Sequence, residues 1–341
     1  MGPVVSVVVI NWNGERFLQR CLGGLEAQTL TDFETIVVDN ASTDGSVAQI
    51  RANWPNTRLV CLEQNLGFAA ANNLGAQLAQ GNWLALLNND AFPAEDWLER
   101  LLEAAGSHPE FTSFASHLVQ ALDPARTDGA GDIYHASGYA WHRHLNQPVE
   151  LSSVGPIEVF SPCGAAALYA REAFLQTGGF DERYFSHQED IDLGFRLRLQ
   201  GYRCLYVPAA RVEHIGSASF GKESPQTVYQ VQRNTVWTYV KDMPTGLFWK
   251  YLLAHLVANL VFLLHYTLRG QARPAWRAKF DALRALPAVL SDRRKVQSSR
   301  RVGSEEIERL IDRSWLGPYL LGNRAGKIKR AARHLGLDRS G

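Results

Sequence analysis

Cysteine is scarce in this chain: Cys21, Cys61, Cys163 and Cys204 are the only four in 341 residues, and no two form a CxxC pair. That excludes a disulfide framework and the tight His/Cys spacing of a zinc site, so the thiols read as reduced and cytosolic. Long apolar runs are also few. The opening run, Val4 to Ile10, has no basic residue before it and ends at Asn11 and Asn13, so it does not read as a signal peptide. The longest run, Tyr251 to Tyr266, contains His255, Asn259 and His265. It falls short of a ~20-residue span and reads as an interfacial or core helix. Neither GxGxxG nor GxxxxGK[ST] follows the first apolar run, which argues against a dinucleotide or Walker-type phosphate site.

Net charge is nearly absent too, at +1, but the balance hides a division. Residues 1–268 carry 17 Lys+Arg against 27 Asp+Glu, whereas residues 269–341 carry 18 against 7. An acidic body precedes a basic tail. The length suggests roughly two domains of about 150 residues, enough for a core without staples.

The first 120 residues alternate between two periodicities. Val4–Ile10, Phe33–Asp39, Arg58–Leu62 and Trp83–Leu87 are strand-like. Between and after them, Glu15–Gln28, Thr43–Trp54, Phe68–Gln80 and Ala94–Ala105 are helix-like. That order predicts an α/β fold with a parallel sheet flanked by helices. From 110 to 160 the pattern blurs into loops and short strands. Cys163–Ala170 then reads as a strand and Arg171–Thr177 as a helix. His187–Gly201 has an acidic start and a basic end, which favours a helix despite alternating apolar residues. Arg203–Val207 reads as a strand ending at Pro208, and helices follow Thr227.

Ligands of open parallel sheets bind beyond the carboxyl ends of the strands. Those ends carry Asn11-Trp12-Asn13, Asp39 through Asp44, Glu63-Gln64-Asn65 and Asn88-Asn89-Asp90. Ser42 or Thr43 alone reads as a helix N-cap. Converging together, the four ends predict a polar-ligand site.

The segments VSVVVINWNG, IVVDNASTDGS, NLGFAAANNLGA and ALLNNDAF, with HQEDIDLGFRLRLQGYR and VEHIGSAS far downstream, resemble the family 2 glycosyltransferases of GT-A fold, in their rhamnosyltransferase-like branch. The likeness covers roughly residues 4–240. It implies a GT-A catalytic domain over 1–240, with a nucleotide-sugar half (1–120) and an acceptor and catalytic half (121–240). A basic helical region follows at 241–341.

By that resemblance Asn11, Asn13 and Asp39 would hold the nucleoside, with Asn65, Gly67, Phe68 and Asn89 contributing. Asn72 and Asn73 read equally as helix-surface residues. Asn88-Asn89-Asp90 stands where the family carries an acidic triplet, so only Asp90 can offer a carboxylate to a divalent cation. One carboxylate with diphosphate oxygens and water suffices for Mg²⁺ or Mn²⁺. His214 is implied as a second ligand, and an imidazole suits Mn²⁺ better. Glu189-Asp190 resembles the family's ED motif. Asp190 would be the general base of a single displacement, and Glu189 would orient it or meet the acceptor. Asp192 reads as a structural helix-start residue.

The implied reaction is an inverting transfer from a nucleotide-sugar, with rhamnose from dTDP-rhamnose the nearest match, to a hydroxyl of a lipid-linked or growing surface glycan. A nucleotidyltransferase would need a Gly-rich basic loop after the first strand, where NWNGERF offers only Arg16. A catalytically silent nucleotide-binding module is disfavoured by the presence of both Asp90 and Asp190. The apolar run at 251–266 and the basic residues after it predict peripheral docking on the anionic cytoplasmic face of a membrane. Nucleic acid is not expected as a partner, because no binding motif accompanies the basic tail.

Overall fold

The computed structural model describes residues 2–152, 155–216 and 224–314. In the first part β1 (Val5–Asn11), α1 (Glu15–Glu26), β2 (Phe33–Asp39), α2 (Ser46–Asn53), β3 (Arg58–Cys61), α3 (Gly67–Leu78) and β4 (Trp83–Asn88) alternate as expected. A short strand, β5 (Ala91–Pro93), leads into α4 (Trp97–Ser107). The order β3-β2-β1-β4 is parallel throughout. Every residue of β1 is buried. Val5, Val7 and Val9 pack with Leu18, Leu22 and Leu25 of α1, while Val8 and Ile10 join Ala69 and Ala76 of α3. Alternate side chains leave opposite faces of a strand, so an unbroken apolar run is what a strand covered on both sides requires. Each such valine contributes roughly 1.5–3 kcal/mol.

The segment from 110 to 160 corrects the sequence reading. It holds two full strands, β6 (Ser113–Gln120) and β7 (Asp123–Gly129), before the short β8 (Asp132–Tyr134), β9 (Ala140–His142) and β10 (Ile157–Val159). β6 lies inside the sheet although Ser113, Ser116 and His117 interrupt its apolar pattern. These polar groups are accommodated inside: Ser116 Oγ accepts from the Trp97 indole at 2.9 Å, and the His117 ring meets Tyr206 edge-on. β11 (Ala166–Ala170) enters antiparallel between β4 and β6, and α5 (Arg171–Gln176) follows. α6 (Glu189–Leu199) is a helix, as its charge order predicted.

A second correction concerns Pro208. The strand β12 (Cys204–His214) does not end there but continues to His214. Its pairing with β6 shifts register between Val207 and Arg211, a bulge in which proline need donate no ladder hydrogen bond. The far half of β12 pairs with β5, which sets His214 opposite Ala91, next to Asp90.

The helices α7 (Pro225–Asp242), α8 (Thr245–Leu268), α9 (Ala272–Arg284), α10 (Leu286–Ser298) and α11 (Ser304–Leu310) complete the described chain. α7 packs on α6, α9 and α10. Between α6 and α7, Arg196 donates to Asp192 at 2.7 Å and Lys241 pairs with both Asp192 and Asp181. Asp192 is thus structural, but through a buried ion cluster. α8 extends the expected 251–266 run to 24 residues and is long and apolar enough, by length and composition, to cross a membrane. Ser217–Ser219 of the VEHIGSAS segment and the tail from 315 onward lie outside the described residues.

Candidate active site

A cleft of about 300 Å³ opens at the carboxyl ends of β1 and β4. Trp12, Asn40, Asn65, Gly67 and Phe68 line it from the first half of the chain, with Asn88, Asn89 and Asp90 from the end of β4. His214, Gly164, Glu189 and Asp190 come from the second half, as do Asp132, Trp141 and His142 of the β8–β9 ribbon.

Asn11, Asn13 and Asp39 do not line the cleft; they brace its wall. The Asn11 amide donates to Asp39 Oδ1 at 2.7 Å and accepts from Asn89 Nδ2 at 2.9 Å. Asp39 Oδ2 accepts from the Ser42 amide at 3.0 Å, and Asn13 Oδ1 accepts from the Thr43 amide at 2.8 Å. Ser42 and Thr43 are therefore not the N-caps expected of them. α2 starts later, where Asp44 accepts from the Ser46 amide. Asn65, Gly67 and Asn89 do reach the cleft. Gly67 has φ +87°, and a side chain there would collide with the Phe185 carbonyl, so the close approach of these loops requires glycine. Asn72 and Asn73 are buried rather than surface residues, and Asn73 clamps the Phe180 backbone through both its amide atoms.

Asp90 and His214 meet as expected, with His214 Nε2 3.5 Å from Asp90 Oδ1, longer than an ordinary hydrogen bond. Its other nitrogen, Nδ1, lies 2.8 Å from Asp128 Oδ2. Burial opposes a charge on this imidazole, but Asp128 and Asp90 outweigh it and raise the pKa to about 9. Nε2 is buried without a hydrogen-bond partner. A buried, unpaired nitrogen beside a carboxylate, with its ring fixed by a second carboxylate, fits a metal ligand and its orienting group. Among the described residues no three His, Cys, Asp or Glu side chains converge into a complete metal cluster. A cation here would take its remaining ligands from substrate and water.

Asp190 sits in the first turn of α6 and keeps part of its surface open to the cleft. Gly164 N–H donates to Asp190 Oδ2 at 3.0 Å, and Ile191 N–H to Oδ1 at 2.8 Å. Burial and the charge of Asp132 raise its pKa; the Gly164 amide and His142 pull it back. Glu189 is also raised, by burial and then by Asp190. The loop entering α6 is strained: Phe185, His187 and Gln188 all have φ between 65° and 71°. Asn234 of α7, fully buried, holds it by donating to the carbonyls of Tyr184, Ser186 and His187 at 3.1, 3.1 and 2.7 Å.

Sequence reasoning missed Asp128, Asp132, His142 and Asn234. No motif marks any of them; they arrive through the unrecognised strands β7 to β9 and through α7.

A parallel sheet with ligand groups at its carboxyl ends, an acidic–imidazole pair at β4 and a carboxylate heading α6 define a glycosyltransferase of the GT-A class. The profile of glycosyl transferase family 2 matches residues 6–177, half of the chain, and the chain belongs to that family. It is 29% identical over 310 residues to an N-acetylglucosaminyl-diphospho-decaprenol L-rhamnosyltransferase of Mycobacterium tuberculosis, covering 82% of this chain and 97% of that one. It is 31% identical over 232 residues to the O-antigen biosynthesis protein RfbC of Myxococcus xanthus, covering 64% of this chain and 18% of that larger protein. Among solved structures, S. aureus TarS 1–349 aligns at TM-score 0.56 and 18% identity, over 91% of this chain and 92% of that one. A Pyrobaculum calidifontis mannosyltransferase, solved with GDP-Man and Mn²⁺, aligns at 0.53 and 18% over 88% and 86%. At these identities the structural likeness speaks for the fold.

Proposed function

We propose that this glycosyltransferase moves a sugar, L-rhamnose from dTDP-rhamnose, onto a hydroxyl of a lipid-linked glycan with inversion at the anomeric carbon. The observation that carries the reading is Asp190 itself: one open carboxylate, held by the Gly164 amide, in the same cleft as Asp90 and His214. The sugar and the lipid-linked acceptor follow the name of the mycobacterial relative, and dTDP as the carrier follows the family resemblance.

In this mechanism Asp190 accepts the proton of the acceptor hydroxyl. The oxygen's electron pair forms the new bond to the anomeric carbon from the face opposite the leaving group. The bond to the diphosphate oxygen breaks, and its electrons leave with the nucleoside diphosphate. One carboxylate is enough for such a step. Asp90 and His214 would hold a Mg²⁺ or Mn²⁺ ion, with Asp128 fixing the imidazole. Such an ion supplies charge to a departing diphosphate. Glu189, whose burial favours its protonated form, lines the cleft beside Asp190, where it would orient the base or meet the acceptor. Asn65, Gly67 and Asn89 line the cleft where the nucleoside would lie, braced by Asn11, Asn13 and Asp39 and by Asn40, whose amide donates to the Gly67 carbonyl and accepts from the Leu66 N–H.

The region 241–341 would dock the enzyme on the cytoplasmic face of a membrane, where a lipid-linked acceptor lies. Its support is an exposed apolar ladder on α8 flanked by arginines.

The test is Asp190→Asn with a panel of dTDP-, UDP- and GDP-sugars and a lipid-linked acceptor. Transfer should fall by ~10²–10⁴-fold, with donor binding retained. Wild-type transfer by this variant removes Asp190 from the mechanism. An anomeric configuration retained in the product rejects the single displacement.

A further inference from the structure

The residues from Asp128 to Asp132 carry two carboxylates, and each holds a histidine that lines the cleft. Asp128 pairs with His214 at 2.8 Å, and Asp132 Oδ1 pairs with His142 Nδ1 at 2.6 Å. The second pair is built by the backbone: Asp132 and His142 are direct cross-strand partners in the antiparallel β8–β9 ribbon. Asp132 is almost fully buried and also takes a weak 3.4 Å contact from Ser161 Oγ. The His142 side chain keeps 36% of its surface. With Nδ1 committed to Asp132, its Nε2–H has no protein partner among the described residues.

The charge inventory of the cleft says what that N–H is for. Asp90, Asp132, Glu189 and Asp190 line it, and among the described residues no lysine or arginine does. A nucleoside diphosphate is a polyanion, so such a cavity needs cationic groups of its own besides any metal. Three histidines line the cleft. His187 is kept neutral by burial, and His214 is the partner of Asp90. His142 is the one left: burial opposes its charge, but Asp132 outweighs it and brings its pKa to about 9.

We infer that His142, held by Asp132, is an anion-binding residue that donates from Nε2 to a phosphate of the donor diphosphate. It would stay on that oxygen as the diphosphate leaves. The inference rests on the donor reading of the cleft and adds a residue to it. It also assigns Asp132 a positioning role: it orients the ring through Nδ1 and favours its charged form, but does not touch substrate. A charge-assisted hydrogen bond of this kind is worth about 10-fold or more in affinity.

The experiment compares dTDP with thymidine, and UDP and GDP with their nucleosides, on the full chain with Mn²⁺. Calorimetry reads the diphosphates and ligand-observed NMR the nucleosides. His142→Gln should weaken binding of the preferred diphosphate by about 10-fold or more while nucleoside binding stays unchanged. His142→Lys, which restores a cation, should recover part of the loss. Equal losses for nucleoside and diphosphate would mean a general distortion of the cleft and overturn the inference. So would an unchanged diphosphate affinity with a raised KM for the lipid-linked acceptor, which would move His142 to the other substrate. If the wild-type protein binds none of the diphosphates, the donor reading fails as well. If it binds one and His142→Gln binds it equally, only the role of His142 fails.

Discussion

Asp128 holds His214 by its Nδ1, 2.8 Å away, and that one contact leaves Nε2 as the nitrogen nearest Asp90. Removing the support should therefore weaken a cation held by Asp90 and His214 without touching it. Asp128→Ala is expected to lower Mn²⁺ affinity by ~10–100-fold, the usual cost of losing an orienting carboxylate. Asp128→Asn, which can still accept from Nδ1–H, should lose less. Mn²⁺ titration followed by electron paramagnetic resonance, with dTDP present, reads both. Unchanged titrations in Asp128→Ala and in His214→Ala together would show that His214 is not a ligand.

A general base at Asp190, as proposed, should leave a signature in pH. Asp190 accepts a proton only when ionised, and burial with Asp132 raises its pKa above the ~4 of a free carboxylate. Activity should therefore fall, as pH is lowered, along a limb displaced from pH 4 toward neutrality. His142→Gln removes a positive charge that now favours the carboxylate, so its limb should move further up. Stability carries the same information with the opposite consequence. A carboxyl whose folded pKa is raised binds its proton more tightly when folded, so its contribution is present at low pH and lost as pH rises through that pKa. Asp190→Asn should accordingly melt higher than wild type at pH 8 and no higher at pH 4. An acid limb at or below pH 4 contradicts the assignment.

Asn234 fastens three carbonyls of the loop whose strained residues precede Asp190. Strain of this kind persists only where surrounding contacts enforce it. Asn234→Ala should relax the loop and lower kcat by about 10-fold or more, in proportion to the ~1–3 kcal/mol of each buried group left unpaired. The dTDP affinity should fall less than kcat, since the loop leads directly into Asp190 and meets the nucleoside wall through Phe185 against Gly67. Steady-state kinetics with a separate dTDP titration checks this. A matching loss of dTDP affinity would mean that the whole cleft depends on Asn234.

The first half of the fold was legible because its signals are local. β1 is a run of mostly β-branched residues, buried on both faces. Asp90, Asp190 and His214 were legible because short motifs carry them, though only the resemblance gave them roles. β6 was not, because Ser113, Ser116 and His117 break its apolar pattern, and the two serines are satisfied only by partners distant in sequence, the Arg203 carbonyl and the Trp97 indole. Asp132 and His142 stayed hidden for a related reason: their pairing is a cross-strand register, which no spacing along the chain announces. Asn11 and Asp39 show the converse. Their position at strand ends pointed to a ligand, but each satisfies the other at 2.7 Å behind the wall of the cleft.

The remaining prediction is where the enzyme works. Leu253, Val257, Leu260, Leu264 and Leu268 follow one stripe of α8 and are 74, 48, 55, 49 and 87% exposed. Trp276, Phe280 and Leu283 repeat the pattern on α9 at 55, 65 and 61%. So many large apolar side chains bared on adjacent helices mark an interaction surface, not ordinary surface scatter. Exposed Arg269, Arg273, Arg277 and Arg284 accompany them, the combination expected of helices that lie on an anionic membrane. The other face of α8 is tied to the body. His255 stacks on Tyr239 at 3.9 Å and bonds the Ser137 carbonyl at 2.7 Å, and Phe262 stacks on Tyr139 at 4.3 Å. A spanning helix would have to give up these contacts, so α8 should lie in the plane of the interface. Protein should pellet with vesicles containing anionic lipid and be released in part by high salt, as screening removes the electrostatic share. Leu253→Gln combined with Leu260→Gln should weaken binding, because each leucine withdrawn from lipid costs roughly 1.5–3 kcal/mol. Neither substitution touches the cleft, so transfer to a soluble acceptor analogue should persist. Protein that stays in the supernatant with every vesicle would return this face to a protein partner. Pelleting that resists both salt and carbonate would mean that α8 crosses the bilayer.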